Sequence, residues 1–347
     1  MAELKNNREY LFFFEASLCN PNGDPDQENK PRMDYETNTV LVSNGRRHRD
    51  IRDFLKEKDY KIFVDVLEEN KVGMDKMFDF IVEDYLTNNE KMSNLKGIFE
   101  EKNLDWLFKT EDYPKEYKDL KNKKKDKELT KFNNELMTEI IKEELIDIRL
   151  FGSAMAVKNL TRTYTGPVQT SWGYSLHPVE LVKSNSITSM MSDDNSTFGK
   201  THQIHYGLIA HYGTINKFSA KKTGMTEEDL EIFREALVQS MMNNQTSSKK
   251  GQTPLAYIEI CYKDSFDGYI GDLRRFVTVE YDESKAIRSM KDLTIDLAPF
   301  EGIVKELDKY IEKIIIWKHP MLRTSDFSLN LNNIEPIDLL ETIESGK

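Results

Sequence analysis

The N-terminal part of the chain alternates in the manner of a β-strand between Tyr10 and Leu18. Successive strand residues point to opposite faces of a sheet, so every second side chain shares a face. One face of this predicted strand carries Tyr10, Phe12, Phe14, Ala16 and Leu18. The run rich in Asn, Pro, Gly and Asp that follows has the turn chemistry that ends a strand.

In the next segment, the spacing of apolar residues changes from the two-residue period of a strand to the 3.6-residue period of a helix. Residues 31–44, "PRMDYETNTVLVSN", predict a hairpin or extended excursion with its turn near Glu36–Asn38. A helix is predicted from about Arg46 to Lys56, with Ser43 or Asn44 as its N-cap. Its apolar side carries Ile51, Phe54 and Leu55, while Arg49 and Arg52 point the other way.

A long helical block separates this first part from the next strands. From Tyr60 to Lys142 the pattern is helical, rich in acids and lysines, and has no clear strand. Within it, the lysine-rich residues 121–131 predict a solvated linker or helix face, and phosphate binding is the minor alternative. Strand character returns in "IDIRLFGSAMAV" (146–157) and "TYTGPVQTSWGYSL" (163–176).

The C-terminal half continues with two extended arms and a capped helix. The arms are Lys183–Met191 and Thr201–Tyr212, separated by a turn-rich stretch. Thr226 and Asp229 form a capping-box pattern for a helix with a buried stripe of Leu230, Phe233, Leu237, Val238 and Met241. Strands are predicted at 253–262 and 274–281, and a further helix from Ile303 to Trp317.

Without the helical block, the element order is strand, helix, strand, strand, helix, strand. This order is that of an α+β, ferredoxin-like or RRM-like βαββαβ domain, a four-stranded antiparallel sheet backed by two helices. Many RNA-binding domains use this plan, with the RNA lying across the sheet. The fold alone does not determine the function.

Composition and charge narrow the class of protein. The chain has 347 residues and a formal net charge of −11, which by itself argues against nucleic-acid binding. The charge is uneven, however, because residues 46–52, "RRHRDIR", hold four arginines and one aspartate. No secretory signal or membrane-length apolar run occurs, and Cys19 and Cys261 are expected to be buried and reduced. We therefore expect a cytoplasmic protein with no membrane partner.

The loop "NPNGDPDQENKPRMD", residues 20–34, carries acid or amide side chains at every second position. An EF-hand requires Gly at its sixth position, but a loop that starts at Asn20 places Pro25 there. Asp24, Asp26 and Asp34 are candidates for metal-assisted RNA cleavage, although no dedicated partner lies nearby in sequence. The default interpretation is a stiff, turn-rich loop in which Gly23 permits close backbone approach.

The histidine pattern disfavours a metal site, whereas the arginine-rich helix favours a phosphate site. His202, His205 and His211 do not share one strand face, so a structural or stacking role is favoured over zinc binding. The arginine-rich helix favours phosphate binding, since arginine matches phosphate geometry and helix N-termini attract anions. No Walker loop, GxGxxG, GxSxG or HExxH motif occurs, and we expect no cofactor and no metal.

Three separated segments resemble one known family. Residues 20–55, "DIRLFGSAMAV" and "TGPVQTSWGYSLHPVE" resemble the backbone subunit of type I CRISPR Cascade complexes, in the RAMP superfamily. The branch resembled is subtype I-B, close to I-C. The resemblance covers most of residues 8–265 and is sharpest at 20–55 and 147–212.

The resemblance implies a hand-like architecture and a non-catalytic role. A discontinuous ferredoxin-like palm (1–56 and 147–347) would carry a helical fingers insertion (57–146) and a β-hairpin thumb (183–206). Copies of such a subunit polymerise head to tail along a CRISPR guide RNA and present the guide for pairing with target DNA. Other Cascade subunits are expected as further partners.

The resemblance also implies residues on the RNA path. They are Lys30, Arg32, Arg46, Arg47, Arg49, Arg52, Gln169, Ser171, Lys183, Met190, Phe198 and Lys200. Met190 and Phe198 are candidate wedges between bases, or they pack on a neighbouring subunit. The alternative function is a RAMP ribonuclease that cuts target RNA with Asp24, Asp26 or Asp34. Copy number, guide sequence and the contacts between subunits cannot be predicted from this sequence.

Overall fold

The fold is described from a computed structural model. The described residues are 2–66, 71–104, 109–110, 112–123, 126–155, 157–183, 186–188, 198–322, 329–341 and 343–346. Groups of strands and groups of helices form a mixed α+β arrangement built around one central sheet.

The strands are short except for three long ones and one of intermediate length at the centre. In chain order they are Arg8–Cys19 (β1), Gly23–Asp24 (β2), Lys30–Pro31 (β3), Met33–Asp34 (β4), Thr39–Val42 (β5), Gly152–Ala154 (β6), Thr163–Thr165 (β7), Val168–Thr170 (β8), Gly173–Ser175 (β9), Ser186–Thr188 (β10), Phe198–Lys200 (β11), Ile204–Ile215 (β12), Gln252–Tyr262 (β13), Thr278–Tyr281 (β14), Leu293–Asp296 (β15), Ile311–Lys318 (β16) and Ile334–Pro336 (β17).

The helices fall into an inserted group and a group that packs on the sheet. In chain order they are Asn44–Glu57 (α1), Met74–Leu86 (α2), Asn89–Glu101 (α3), Tyr113–Lys123 (α4), Asp126–Glu143 (α5), Ile146–Phe151 (α6), Lys217–Thr223 (α7), Glu227–Asn243 (α8) and Ala298–Glu306 (α9).

The first strand lies in the middle of the central sheet. β1 pairs antiparallel with β12 on one side and with β13 on the other, so that Phe13 faces Ala210 and Ala256. Beyond β12 follow β9, β5 and β4, and beyond β13 follow β16 and β17. The sheet is mostly antiparallel, with β16 and β17 as a parallel pair.

Both faces of β1 are buried, which explains its long apolar run. Phe12 and Phe14 belong to one core with α1 and α8, whereas Leu11 and Phe13 belong to a second core with α9 and residues 273–297. The predicted alternation is therefore confirmed from Tyr10 to Ala16. Leu18 departs from it, because its φ of 47° turns the side chain out and leaves it exposed.

The two helices of the first core begin at the predicted caps. The Ser43 side chain accepts a hydrogen bond from the Arg46 amide at the start of α1. Thr226 and Asp229 form a complete capping box at the start of α8, and the predicted apolar stripe of this helix is buried. Side-chain capping satisfies backbone donors that have no partner inside the helix.

The inserted helices α2 to α5 have an apolar core of their own. Phe78, Tyr85, Phe99, Phe132 and Ile140 lie at its centre. The helical prediction for residues 60–142 is confirmed from Met74 onward by α2 to α5, whereas the described residues 60–66 and 71–73 form no helix. In the lysine-rich stretch, Lys121 lies on α4 and its ammonium is 2.7 Å from Asp79, as expected for a solvated helix face.

Two predictions of secondary structure are wrong. Residues 146–151, predicted as a strand, form α6, in which Asp147 and Arg149 are buried. A short apolar run in the sequence is compatible with either a helix or a strand. Residues 311–317, predicted as the end of a helix, form β16, whose isoleucines pair with β13. Isoleucine is β-branched and favours strands when a sheet edge is available.

Cys19 and Cys261 are buried and free, as predicted. Among the described residues, no helix has the length and apolar character needed to cross a membrane.

Candidate functional site

Four segments that are distant in sequence meet beside the N-terminal end of α1. They are the loop of residues 20–34 (the connector), α1 itself, β8 with the residues after it, and the loop 244–251. The Asn20 amide donates to the Ser248 carbonyl over 2.9 Å, and the Ser43 amide donates to Asn22 Oδ1 over 2.8 Å. The connector is therefore tied to both of its neighbours by hydrogen bonds.

The connector is folded tightly on itself. A Cβ on Gly23 would lie 1.8 Å from Asn29 Oδ1, so any larger residue there would displace the Asn29 side chain. Asn20 Nδ2 donates to the Asn29 carbonyl over 2.8 Å, and Glu28 and Asn29 adopt positive φ values of 52° and 58°. The predicted close backbone approach at Gly23 exists, and it is to the connector's own side chain.

The aspartates of the connector serve local structure. Asp24 accepts from the Asp26 amide and pairs with Arg32 at 3.3 Å. Hydrogen bonds from the Thr37 side chain and the Glu36 amide hold the pKa of Asp34 below its usual range. No group of three or more histidine, cysteine, aspartate or glutamate side chains suited to a metal occurs among the described residues.

The arginines at the start of α1 share one carboxylate. Arg46 and Arg47 both pair with Asp50, Arg47 at 2.8 Å. Arg47 is only 2% exposed, and its guanidinium lies 5.2 Å from the Phe14 ring centroid. Burial lowers the pKa of Arg47 and Asp50 opposes this effect. Arg47 faces the core, so its predicted place among surface phosphate ligands disagrees with its position.

The two later arginines of α1 differ in exposure. Arg49 pairs with Asp53 at 2.6 Å, and its side chain is 42% exposed. Arg52 pairs with the fully buried Asp147 at 3.0 Å, and its side chain is 13% exposed. The sequence showed one aspartate among these arginines, but the fold brings a carboxylate to each of them.

A groove beside α1 collects several cations. It has a volume of about 640 Å³ and is lined by the cations Arg46, Lys58 and Lys249 and by the carboxylates Asp50, Asp53 and Glu57. We call it the α1 groove. Arg46 and Lys58 lie at the two ends of α1, whereas Lys249 comes from the loop before β13, much later in the chain.

Lys249 was missed by the sequence analysis. Its ammonium donates to the carbonyls of Asn20 at 2.7 Å and Pro21 at 3.0 Å. Burial, with the charges of Arg46 and Arg47, lowers the pKa of Lys249 to about 8. The available signal was a basic pair in the glycine-bearing loop "SSKKGQ", next to a predicted strand.

On its buried side, β8 contacts a layer of polar side chains. Tyr10 and Thr170 hydroxyls lie 2.7 Å apart, and Thr170 Oγ1 lies 3.1 Å from His48 Nε2. The His48 ring stacks on Phe151 with centroids 4.0 Å apart. Burial and then the charge of Arg52 lower the pKa of His48 to about 3, so this ring is neutral.

The other buried histidines also have structural roles. His211 Nδ1 lies 3.0 Å from the Ser171 carbonyl, and burial is the main cause that lowers the pKa of His211 to about 3. His177 Nε2 accepts from the Leu208 amide over 3.1 Å, and its ring stacks on Tyr206. The predicted structural or stacking role is confirmed for His211, and His177 has such a role as well.

The motif "GPVQTSW" exposes Gln169 and Trp172, while Thr170 is buried. Gln169 is exposed and its amide donates to the Gly166 carbonyl. Ser171 is half-buried and its backbone N–H donates to the Tyr212 carbonyl. Trp172, also missed by the sequence analysis, is 45% exposed. Its signal was an aromatic residue inside a motif of small and polar residues.

The remaining predicted RNA-path residues are dispersed. Arg32 contacts Trp172, with its guanidinium 5.7 Å from the ring centroid, and Lys30 is half-buried in the connector. Lys183 and Lys200 are exposed at the base of an antiparallel pair of strands, β10 and β11. Met190 and the side chain of Phe198 lie outside the described residues.

Together these features suit binding of an anionic chain better than covalent chemistry. The half-buried side chains of Arg32, Arg46 and Lys249 lie in or beside the connector, and the exposed ring of Trp172 follows Gln169 in the chain. Arginine and lysine neutralise phosphates, while aromatic faces stack on bases.

Comparison with known proteins places these features in context. A family model described as "CRISPR-associated protein Cas7" matches residues 6–298. A protein of Haloferax volcanii with the same description is 26% identical over 332 residues, which covers 89% of this chain and 85% of that protein. A solved chain from a "CRISPR RNA-guided surveillance complex, pre-nicking" has a TM-score of 0.51 at 12% identity, and the match covers 96% of each chain. The last similarity concerns the fold.

Proposed function

Because the chain belongs to the CRISPR-associated protein Cas7 family, we propose that it binds a CRISPR guide RNA as the backbone subunit of a Cascade surveillance complex. Copies of the subunit polymerise head to tail along the guide, beside other Cascade subunits. They leave guide bases free to pair with a target DNA strand. Sequence recognition is then left to base pairing, and the protein contacts the RNA backbone. Assignment to the I-B branch stays a prediction.

One observation carries this proposal: an acidic chain gathers cations in the α1 groove. The formal net charge is −11, yet Arg46, Lys58 and Lys249 line one groove, and Arg49 is the most exposed arginine of the same helix. The groove is also lined by Asp50, Asp53 and Glu57, so phosphate binding there relies on how the cations are positioned and not on an excess of positive charge.

The architecture supports a palm, fingers and thumb. The strands β13, β1, β12 and β9 lie in that order with α1 and α8 on one face. We interpret this order as that of a ferredoxin-like domain, with β13 as the fourth strand beside the first. We assign residues 1–56 and 147–347 to the palm, 57–146 to the fingers and 183–206 to the thumb.

The proposal is tested by expressing the chain with its neighbouring subunits and extracting nucleic acid from the purified complex. RNA of uniform length and multimeric protein are expected. A monomer that carries no RNA at low salt would overturn the proposal.

Charge reversal on α1 tests the site itself. Arg46→Glu combined with Arg49→Glu is expected to weaken RNA binding and to lower the salt slope by about one for each phosphate that is no longer neutralised. Lys305→Glu is the matched control, because Lys305 is exposed on α9 and pairs only locally with Glu301 among the described residues. Equal effects of the two changes would place the RNA elsewhere.

We propose that the subunit has no catalytic role, and this is tested with the same complex. Complementary RNA and magnesium are added, and the RNA is examined for cleavage. Regularly spaced cuts that disappear with Asp24→Ala, Asp26→Ala or Asp34→Ala would instead establish the ribonuclease alternative.

A further inference from the structure

Trp172 presents a large aromatic ring from a backbone segment that is fixed on both sides. The Ser171 amide donates to the Tyr212 carbonyl over 2.8 Å, and the Trp172 carbonyl accepts from Arg274 Nη1 over 2.5 Å. The residue is nevertheless 45% exposed. A rigid aromatic surface loses little conformational entropy when a ligand stacks on it.

Arg32 adds a cation to this ring from the connector. Its guanidinium lies 5.7 Å from the Trp172 centroid, within the range of a cation–π contact. Its Nη2 pairs with Asp24 at 3.3 Å, while its Nε is buried with no hydrogen-bond partner among the described residues. The Arg32 side chain as a whole is 27% exposed, so part of this cation remains accessible to an acceptor on a ligand.

The surroundings of Trp172 have the chemistry of single-stranded nucleic acid. Gln169 is exposed two residues before Ser171 on the same segment, so amide and hydroxyl groups lie next to the ring in the chain. Tyr174 follows, with the Arg274 guanidinium 4.2 Å from its centroid. Arginines interleaved with aromatic rings are characteristic of surfaces on which bases stack.

We propose that Trp172 stacks on one nucleobase of the bound RNA, with Arg32 holding the indole and reaching an acceptor of the same nucleotide. The inference rests on the proposed function, since it names a contact within that RNA site. Stacking tolerates any base, because every base has a π-face. This tolerance suits a subunit that carries guides of different sequence.

The test compares a single-stranded RNA with an abasic RNA of the same length in binding experiments. Trp172→Ala is expected to weaken binding of the base-containing RNA by about 5- to 100-fold and to leave the abasic RNA unchanged. Trp172→Phe keeps a ring and is expected to remain within a few-fold of the unsubstituted protein. Quenching of tryptophan emission by RNA should decrease in Trp172→Phe.

Phe218→Ala is the matched control. Phe218 is also an exposed aromatic residue, and the Lys217 ammonium lies 5.3 Å from its ring centroid, but it lies on α7 away from the connector. It is expected to bind both RNAs as the unsubstituted protein does. Thermal melting of each variant verifies that the fold is retained, and Arg32→Gln provides a second variant that spares the indole.

Three outcomes would overturn the stacking proposal. The first is that Trp172→Ala leaves both RNAs unaffected. The second is that it weakens both RNAs equally and disrupts multimers, which would assign Trp172 to a contact between copies. The third is that the unsubstituted protein binds neither RNA, in which case the proposed function fails as well.

Discussion

Arginine–carboxylate pairs occur in two parts of the molecule that differ in their access to water. In the sheet, Glu259 of β13 is fully buried and contacts Arg8 at 2.9 Å and Arg234 at 2.6 Å. On α1, Arg49 and Asp53 form a pair at a similar distance, and both side chains are more than 40% exposed. Similar distances therefore occur in very different dielectric surroundings.

The buried pairs of Glu259 stabilise the fold, whereas the exposed Arg49 is available to bind a ligand. Burial opposes ionisation of Glu259, but Arg234 and Arg8 outweigh it and hold its pKa at about 2. Removing one partner of such a pair leaves a buried charge unpaired. An exposed pair contributes little to stability, so Arg49 is free to exchange its carboxylate for another anion at small cost.

The largest expected effect comes from breaking the buried pair. Glu259→Gln is expected to lower the free energy of unfolding by about 3–5 kcal/mol, measured by urea denaturation. Glu335→Gln is the control, because its pair with Lys313 is exposed and little change is expected. Equal losses in the two variants would remove the distinction between buried and exposed pairs.

Acid denaturation tests whether Glu259 is held ionised in the folded protein. The folded-state pKa of Glu259 is lowered to about 2, so its contribution is present above the unfolded pKa of about 4.3. It is lost as the pH falls through the folded value. In Glu259→Gln, the pH dependence of stability between about 4.3 and 2 should become shallower. An unchanged acid transition would show that Glu259 is not held ionised.

The two later arginines of α1 are expected to separate stability from RNA binding. Asp147 is buried, pairs with Arg52 and accepts a hydrogen bond from the Phe63 amide over 2.9 Å. Arg52→Ala leaves this carboxylate without its cation and should destabilise the protein by about 2 kcal/mol. Arg49→Ala should change stability by less than about 0.5 kcal/mol and reduce RNA affinity. The opposite ranking in denaturation and binding assays would refute this division.

Buried histidines predict a further pH dependence. The pKa values of His48 and His211 are lowered to about 3, mainly by burial, so both rings stay neutral in the folded state. Their contribution is full above the unfolded pKa of about 6.5 and declines below it, by at most about 1.4 kcal/mol per pH unit for each ring. His48→Asn should flatten part of this slope in stability measurements at pH 4–6.

The smallest expected effect concerns Lys249. Its pKa is about 8 in the presence of Arg46, Arg47 and Asp50, so its charge is lost between pH 7 and 9. Loss of one cation should weaken RNA binding by about two- to tenfold. Lys249→Arg should remain charged and bind equally at both pH values. A pH-dependent loss in Lys249→Arg would assign the titration to another group.

The sequence predicted the elements whose pattern is local and strong. The alternation of β1, the cap of α1 by Ser43 and the capping box of α8 depend on neighbours within a few residues. It failed at residues 146–151 and 311–317, where the choice between helix and strand was made by packing. Short apolar runs contain no information about the partners that surround them.

The candidate site was only partly predictable for the same reason. The excess of arginine on α1 was visible, but its carboxylate Asp147 lies 95 residues after Arg52, and pairing at that distance has no sequence pattern. The burial of Arg47 follows from its contact with Phe14 on β1. Lys249 joins the site because its loop crosses the connector, which is a property of the fold.

The central position of β1 has a consequence for synthesis of the chain. Its partner strands end at residues 215 and 262, so on the ribosome the segment "YLFFFEASLC" is made long before either partner. At about 5–20 residues per second, the delay is on the order of ten seconds or more. The inserted helices are complete by residue 143 and have a core of their own. They are therefore expected to fold first, while the apolar first strand depends on chaperones until its neighbours emerge.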